Sequence, residues 1–179
     1  IKAGDQLTLE DLLNGLLLYS GNDNAVAIAD HIAGSTEKFA EMMNAEAKKL
    51  MATNSHFVNP SGLHDDNHYT TAYDLYLIFN ECIKHDDFVK IINSSSYTAH
   101  ITGADGTKRD VKWEPTNYYA KGEATPPDNV TIIGGKTGTT KGAGNCLILL
   151  TKDSSGNPYI SIIMGAGSKP LLYQDMTSM

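Results

Sequence analysis

Two stretches carry side chains whose types and spacing suit chemistry. The first is Gly134-Gly135-Lys136-Thr137-Gly138-Thr139-Thr140, which follows the apolar, β-branched run Val130-Thr131-Ile132-Ile133. That run reads as a buried strand. Glycine has no Cβ, so a second backbone can approach closely there. Lysine offers a point positive charge and threonine a hydroxyl donor. Together they make a seat for an extended chain that ends in a carboxylate. The plain alternative is a strand end with a solvated lysine. A phosphate-binding P-loop is excluded, because it needs a glycine five residues before Gly135, where Val130 stands, and a helix after the lysine, where another strand follows.

The second stretch is Ser20-Gly21-Asn22, at a break between two apolar helical segments where polar side chains can face a cleft. Alone it is a turn with a helix N-cap. The same letters recur in Ser154-Ser155-Gly156-Asn157, but there they form a hairpin turn.

The elements that position these stretches follow from periodicity and capping. Thr8 predicts a helix N-cap with Asp11 at the capping-box position, followed by Leu9, Leu12, Leu13, Leu16 and Leu17 at helical spacing. A second helix starts at Asn22 to Asn24 and stops at Gly34. Ser35 caps a third, with Phe39, Met42, Met43, Leu50 and Met51 on its apolar face. After the polar loop Asn59 to Asp66, Thr71 and Asp74 predict a capping box for a helix carrying Leu75, Ile78, Phe79, Cys82 and Ile83, and a short helix covers Phe88 to Ile92. The pattern then changes to alternation. A hairpin joins Tyr97–Ile101 to Thr107–Trp113, a loop spans Asn117 to Asn129, and three strands cover Val130–Thr137, Asn145–Lys152 and Tyr159–Ala166. Short turns between the strands predict antiparallel pairing. Helices first and strands second give an α+β fold, with residues 1–95 mainly helical and 96–179 mainly strand.

Composition bounds the partners. The 179 residues suffice for one domain with a core, 41% are hydrophobic, and the formal charge is −7. No basic stripe is present, so nucleic acid is not an expected partner. No run is apolar for the length of a membrane span. Cys82 and Cys146 fit no zinc spacing and sit in apolar runs, so they read as buried free thiols. The histidines show no metal-ligand spacing, and no cofactor is implied.

Serine–x–asparagine at a helix junction, followed more than a hundred residues later by lysine–threonine–glycine on a strand, is a known pairing. With Leu9–Leu18, Ser20–Asp23, Asn59–Leu63, His68–Asp74 and Gly134–Gly138, nearly the whole chain resembles the D-alanyl-D-alanine carboxypeptidases among the low-molecular-mass penicillin-binding proteins. The resemblance implies a penicillin-binding, transpeptidase-like fold: an antiparallel sheet flanked by a helical subdomain, incomplete at both ends. It implies a serine-type carboxypeptidase that removes the terminal D-alanine of peptidoglycan stem peptides through an acyl-enzyme and is acylated by β-lactams. Catalytic roles fall on Ser20, Asn22 and Lys136, and substrate binding on Thr137, Gly138 and Thr139. The parent protein is expected to be exported and to act at the outer face of the bacterial membrane, with any membrane association through segments absent here.

The family's nucleophile belongs to a serine–x–x–lysine motif upstream of serine–x–asparagine. Ser35-Thr36-Glu37-Lys38 matches the letters but follows Ser20 and reads as an N-cap. The nucleophile segment is therefore expected to lie outside this chain, leaving it inactive alone. The alternative reading is a non-catalytic peptidoglycan- or protein-binding module of the same fold. His68 is assigned a structural role, and Trp113, Tyr118 and Tyr119 read as hairpin packing or as the wall of a substrate approach.

Overall fold

Leu147 to Leu150 explain the architecture. The computed structural model describes all residues from Ile1 to Met179. In it these four apolar residues lie buried on a central strand, where successive side chains point to opposite faces. Leu147 and Leu149 pack with Leu172, Tyr173 and Met176 on one face. Ile148 and Leu150 pack with Phe79 and Ile92 on the other. A strand that is apolar on both sides needs a helical layer on both sides, and the chain supplies them.

The strands are β1 (Tyr97–Thr102), β2 (Lys108–Trp113), β3 (Thr131–Thr140), β4 (Gly144–Lys152) and β5 (Pro158–Ala166). The helices are α1 (Leu9–Leu17), α2 (Asn22–Ala33), α3 (Thr36–Lys49), α4 (Ala72–Cys82), α5 (Asp86–Ile92), α6 (Tyr118–Lys121) and α7 (Lys169–Ser178). The main sheet runs β3-β4-β5, antiparallel throughout, with β4 in the middle. Helices α4 and α5 cover one face and α7 the other. Hairpin β1–β2 forms a separate two-stranded sheet whose Ala99, Ile101 and Trp113 make a third cluster.

Most expected elements form, and the departures are instructive. The capping box on α1 closes at both arms: Asp11 N–H donates to Thr8 Oγ1 at 3.0 Å and Thr8 N–H to Asp11 Oδ2 at 2.9 Å. The leucines of α1, however, do not line the fully buried face. That face holds Asp11, Asn14 and Gly15, because the Tyr97 hydroxyl donates to Asp11 Oδ1 at 3.0 Å and the Trp113 ring comes close against Gly15. On α3 the buried positions are Ala40 and Ala47, while Met42 and, just past the helix end, Met51 are exposed.

The expected capping box on α4 forms only by half. Asp74 N–H donates to Thr71 Oγ1 at 3.1 Å, but the Asp74 carboxylate turns away. Fully buried, it accepts from Asn54 N–H and Ser55 Oγ, both at 2.7 Å, and so fastens the loop after α3 to the start of α4. A one-turn helix, α6, stands in the expected 117–129 loop, capped by Asn117, whose side chain accepts from Tyr119 N–H at 3.0 Å.

Strand β3 reaches the sheet past a β-bulge between Ile132 and Gly134. A Cβ on Gly134 would lie 2.1 Å from the Ile92 carbonyl oxygen, and one on Gly135 2.0 Å from that of Ile148. Both contacts are with backbone, which cannot move aside as a side chain tip can. Gly138 differs, because a Cβ there would meet only Cys146 Cβ at 4.0 Å, an ordinary contact. Gly134→Ala is therefore expected to destabilise the fold by about 2 kcal/mol or more through overpacking. Gly138→Ala is expected to stay within about 0.5 kcal/mol of the parent. Urea unfolding of the two variants checks the contrast, and equal stabilities would refute it.

Candidate active site

The sequence assigns Ser20 and Lys136 to one site although 116 positions separate them. Ser20 ends the connection between α1 and α2. Gly21 N–H donates to Gly15 O at 2.9 Å, folding the chain back on α1 before α2 begins. That turn places Ser20 at φ 66°, a left-handed conformation that costs a residue with a Cβ about 1–2 kcal/mol. Such strain persists only where the surroundings enforce it. Its effect is to aim the Ser20 hydroxyl at the sheet.

Lys136 meets it there. Its ammonium donates to Ser20 Oγ at 2.7 Å and to Thr137 O at 2.7 Å. The strand holds the lysine stem among protein atoms. Burial disfavours the charged form and pushes its pKa down to about 8, from 10.5. No carboxylate balances it in a salt bridge shorter than 4.0 Å, so the ammonium sits in its site as an uncompensated positive charge.

Thr137 lies beside Lys136, and its hydroxyl is 2.6 Å from that of Thr116. Thr116 N–H in turn donates to Leu18 O at 3.2 Å, so the segment after β2 ties the end of α1 to β3. Gly138 and Thr139 are exposed, and Thr139 Oγ1 donates to Asn145 Oδ1 at 3.4 Å. Asn22, the first residue of α2, is exposed beside Ser20. All six residues assigned from the sequence line one connected depression, which has two lobes. A lobe of about 420 Å³ holds Ser20, Asn22 and Lys136 to Thr140 against the loop Asn59 to Leu63. A lobe of about 290 Å³ shares Ser20, Asn22, Thr137, Gly138 and Thr139 and continues past Thr116 and Tyr118.

The loop wall is stiffened from within. Asn59 Oδ1 accepts from Ser61 N–H at 3.1 Å and Gly62 N–H at 2.8 Å, and Asn59 Nδ2 donates to Leu63 O at 2.9 Å. His68 supports the wall: its Nδ1 accepts from Val58 N–H at 3.2 Å and its ring packs edge-on against Phe57. Burial holds its pKa below the usual value, which keeps the accepting nitrogen unprotonated. The structural role expected for His68 fits these contacts.

Ser35 lies elsewhere. Its Oγ accepts from Lys38 N–H at 3.2 Å as the cap of α3, and it lines neither lobe. Trp113 packs in the hairpin cluster, Tyr118 lines the smaller lobe, and Tyr119 lines a separate apolar cavity of about 280 Å³ away from the site. Cys146 corrects the expectation of a buried thiol: it pairs with Gly138 across the sheet and lines both lobes. Thr116, Asn145, Cys146 and Lys169 were not singled out as site residues, because no local spacing marks them. Strand register brings in Asn145 and Cys146, the segment after β2 brings in Thr116, and the return from β5 into α7 brings in Lys169.

A sequence profile described as D-alanyl-D-alanine carboxypeptidase matches residues 1–168. The chain is 31% identical over 173 residues to D-alanyl-D-alanine carboxypeptidase DacF of Bacillus subtilis, and 34% over 170 residues to DacD of Escherichia coli. Each match covers 94% of this chain and 40% of the relative, so the chain spans well under half their length. Among solved structures, the Streptomyces K15 DD-transpeptidase superposes with a TM-score of 0.88 at 30% identity, over 99% of this chain and 68% of that one. A putative penicillin-binding protein homologue, Rv2911 of Mycobacterium tuberculosis, superposes with a TM-score of 0.78 at 29% identity, over 95% of this chain and 62% of that one.

The buried ammonium gives a pH prediction. Lys136 is charged in both folded and unfolded chains below pH 8, and there its desolvation opposes folding. Between about 8 and 10.5 only the unfolded chain still holds the proton, so stability rises with pH across that window through this group. NMR observation of the lysine side chains should show one titration midpoint near 8, absent in Lys136→Met. A Lys136 midpoint at the ordinary value of exposed lysines would overturn the burial argument.

Proposed function

The chain belongs to the D-alanyl-D-alanine carboxypeptidase family, and on that premise we propose that its cleft is the substrate-binding half of a serine-type carboxypeptidase. The enzyme removes the terminal D-alanine of peptidoglycan stem peptides on the extracytoplasmic side of the cell and is acylated by penicillins. The observation that carries this reading is the Lys136–Ser20 hydrogen bond, which joins two motifs distant in sequence on the wall of one cavity.

In this reading the substrate lies along the open edge of β3 as an added strand, its main chain pairing with that edge. Gly138 leaves room, since no side chain stands between substrate and strand. The Lys136 charge and the Thr137 and Thr139 hydroxyls receive the terminal carboxylate. The Asn22 amide holds the carbonyl of the preceding amide. The attacking hydroxyl comes from a serine–x–x–lysine element outside these 179 residues, its lysine taking the proton. A bond forms from that serine Oγ to the carbonyl carbon between the two D-alanines. The oxygen becomes negative and is met by Thr139 N–H and the nucleophile's own N–H. Ser20 relays the proton that the element's lysine took: its hydroxyl gives a proton to the leaving nitrogen as the C–N bond breaks and receives that lysine's proton in return, and D-alanine departs as the amine. Water then hydrolyses the ester and restores the serine.

Lys136 acts twice here. Its donation to Ser20 Oγ orients that hydroxyl with a lone pair spent and its own proton free to be given away. Its positive charge also favours the anionic end of the substrate while it remains protonated, so affinity for the carboxylate is expected to fall as pH rises through about 8.

Two measurements test the reading. Incubated with a labelled penicillin, the 179-residue chain should keep its unmodified intact mass, and an adduct on Ser20 or Ser35 would overturn the assignment of the nucleophile. In the complete gene-encoded protein, penicillin should label an upstream serine, and Lys136→Ala should slow that labelling by about 10²–10³-fold. Unchanged labelling would remove Lys136 from the role given to it.

A further inference from the structure

Two consecutive residues of β3 are tied to the end of α1, and only one of the ties runs between the two motifs. Lys136 donates to Ser20 Oγ. Thr137, the next residue, has its hydroxyl 2.6 Å from that of Thr116, and Thr116 N–H donates to Leu18 O at 3.2 Å. The ties reach the chain at residues 18 and 20, on either side of Tyr19. The second passes through Thr116, which lines the smaller lobe beside Ser20, Asn22 and Thr137 and has no role in the chemistry given above.

Thr116 stands on a rigid base. Pro115 before it and Asn117 after it are both buried, and the proline ring fixes its own φ. The Asn117 side chain accepts from Tyr119 N–H at 3.0 Å and starts α6. The Tyr118 ring stacks on Tyr173 of α7 with centroids 4.6 Å apart, and Tyr118 N–H donates to the Tyr173 hydroxyl at 2.9 Å. Held by Leu18 on one side and α7 on the other, the segment delivers the Thr116 hydroxyl to a fixed point against β3.

Counting protons shows what the pair can do. Each hydroxyl has one proton to donate and two lone pairs to accept with. Neither hydroxyl makes another hydrogen bond, so one proton lies between the two oxygens and the other is free. With Thr137 as donor, its lone pairs face the lobe and repel an acceptor there. With Thr116 as donor, the free proton is that of Thr137, ready for a ligand oxygen. A hydroxyl that accepts one hydrogen bond is polarised into a better donor for the next. The contact also selects one rotamer among those open to the Thr137 side chain, so less freedom is lost when a ligand arrives.

We propose that Thr116 is a positioning residue for the reaction: its hydroxyl donates to Thr137 Oγ1, fixes that side chain and turns the Thr137 proton into the cleft. The assignment rests on the carboxypeptidase reading above, in which Thr137 hydrogen-bonds the substrate, and adds a residue that neither motif contains. Thr116 acts through Thr137, and its N–H bond to Leu18 keeps that donor in register with Ser20, two residues further on.

Acylation of the complete gene-encoded protein, followed over a range of penicillin concentrations, separates affinity from the rate of the bound complex and tests this. Thr116→Val keeps the shape of the side chain and the N–H bonded to Leu18 but removes the hydroxyl. It should weaken affinity about tenfold, the size expected for a hydrogen bond to a charged group, and leave the rate constant of the bound complex nearly unchanged. Thr116→Ser restores the hydroxyl and should restore the affinity. In a Thr137→Val background, Thr116→Val should cost nothing further, because its route to the ligand is gone. Parent affinity in Thr116→Val, affinity as weak in Thr116→Ser as in Thr116→Val, or losses that add in the double variant would each overturn the role of Thr116 and leave the carboxypeptidase reading standing. Should Thr116→Val fail to fold, Thr116→Ala set against Thr116→Ser carries the same comparison. A parent protein that penicillin does not acylate would overturn both readings.

Discussion

The site depends on one ammonium that is half-buried at the wall of the cleft. Lys136 joins the helical part of the chain, through Ser20, to the sheet that carries it. A lysine in that position is unfavourable by desolvation alone, and its lowered pKa is the direct sign of this. The arrangement persists because strong local constraints hold each partner in place. Gly134 and Gly135 let β3 press against Ile92 and Ile148, closer than any side chain would allow, and so fix where Lys136 emerges. The left-handed turn at Ser20 fixes where the hydroxyl waits. Two local costs, one in backbone strain and one in solvation, are thus set against a core built on Leu147 to Leu150.

Much of this was legible in the sequence, for identifiable reasons. Caps are local: Thr8, Ser35 and the Gly34 stop depend on residues within one turn, so reading them needs no tertiary knowledge. Strand order was equally accessible, because short turns after β3 and β4 leave antiparallel neighbours as the simple outcome. The pairing of Ser20 and Asn22 with Lys136 to Thr139 was recognisable as a resemblance, not from physics. No periodicity could have predicted a contact across 116 positions.

What was not legible is what tertiary contact decides. Asp74 reads as a capping-box acid from its spacing to Thr71, yet its carboxylate goes to Asn54 and Ser55, which the sequence places about twenty residues upstream. The polar burial of Asp11 requires Tyr97, 86 positions away. Leucine spacing on α1 predicted a helix, but spacing alone does not show that Asp11, Asn14 and Gly15 take the deepest positions. Cys146 and Lys169 join the cleft only through the register of β4 against β3 and the return of α7 across the sheet.

A site that accepts an extra strand, as proposed for this cleft, carries a physical hazard, because an open sheet edge will pair with any extended chain. Strand β3 is such an edge, but only a short part of it is open. Its first half is bent by the bulge at Ile132 and Gly134 and shut against α5, where Gly134 is buried under the Ile92 carbonyl. Its end turns over at Lys141 to Ala143, with Gly142 against the His64 ring. Between these limits the exposed ladder runs only from Lys136 to Thr140, walled by the Asn59–Leu63 loop on one side and by Tyr118 on the other. A segment that short pairs weakly with a generic chain, whose backbone bonds alone must offset the ordering of its residues. In the proposed mode the remaining affinity has to come from groups at the ends of the ligand, which Lys136 and the Thr137 and Thr139 hydroxyls would meet. If the cleft receives a peptide as proposed, keeping the backbone platform small leaves main-chain pairing to align the ligand and charge to decide which ligand stays.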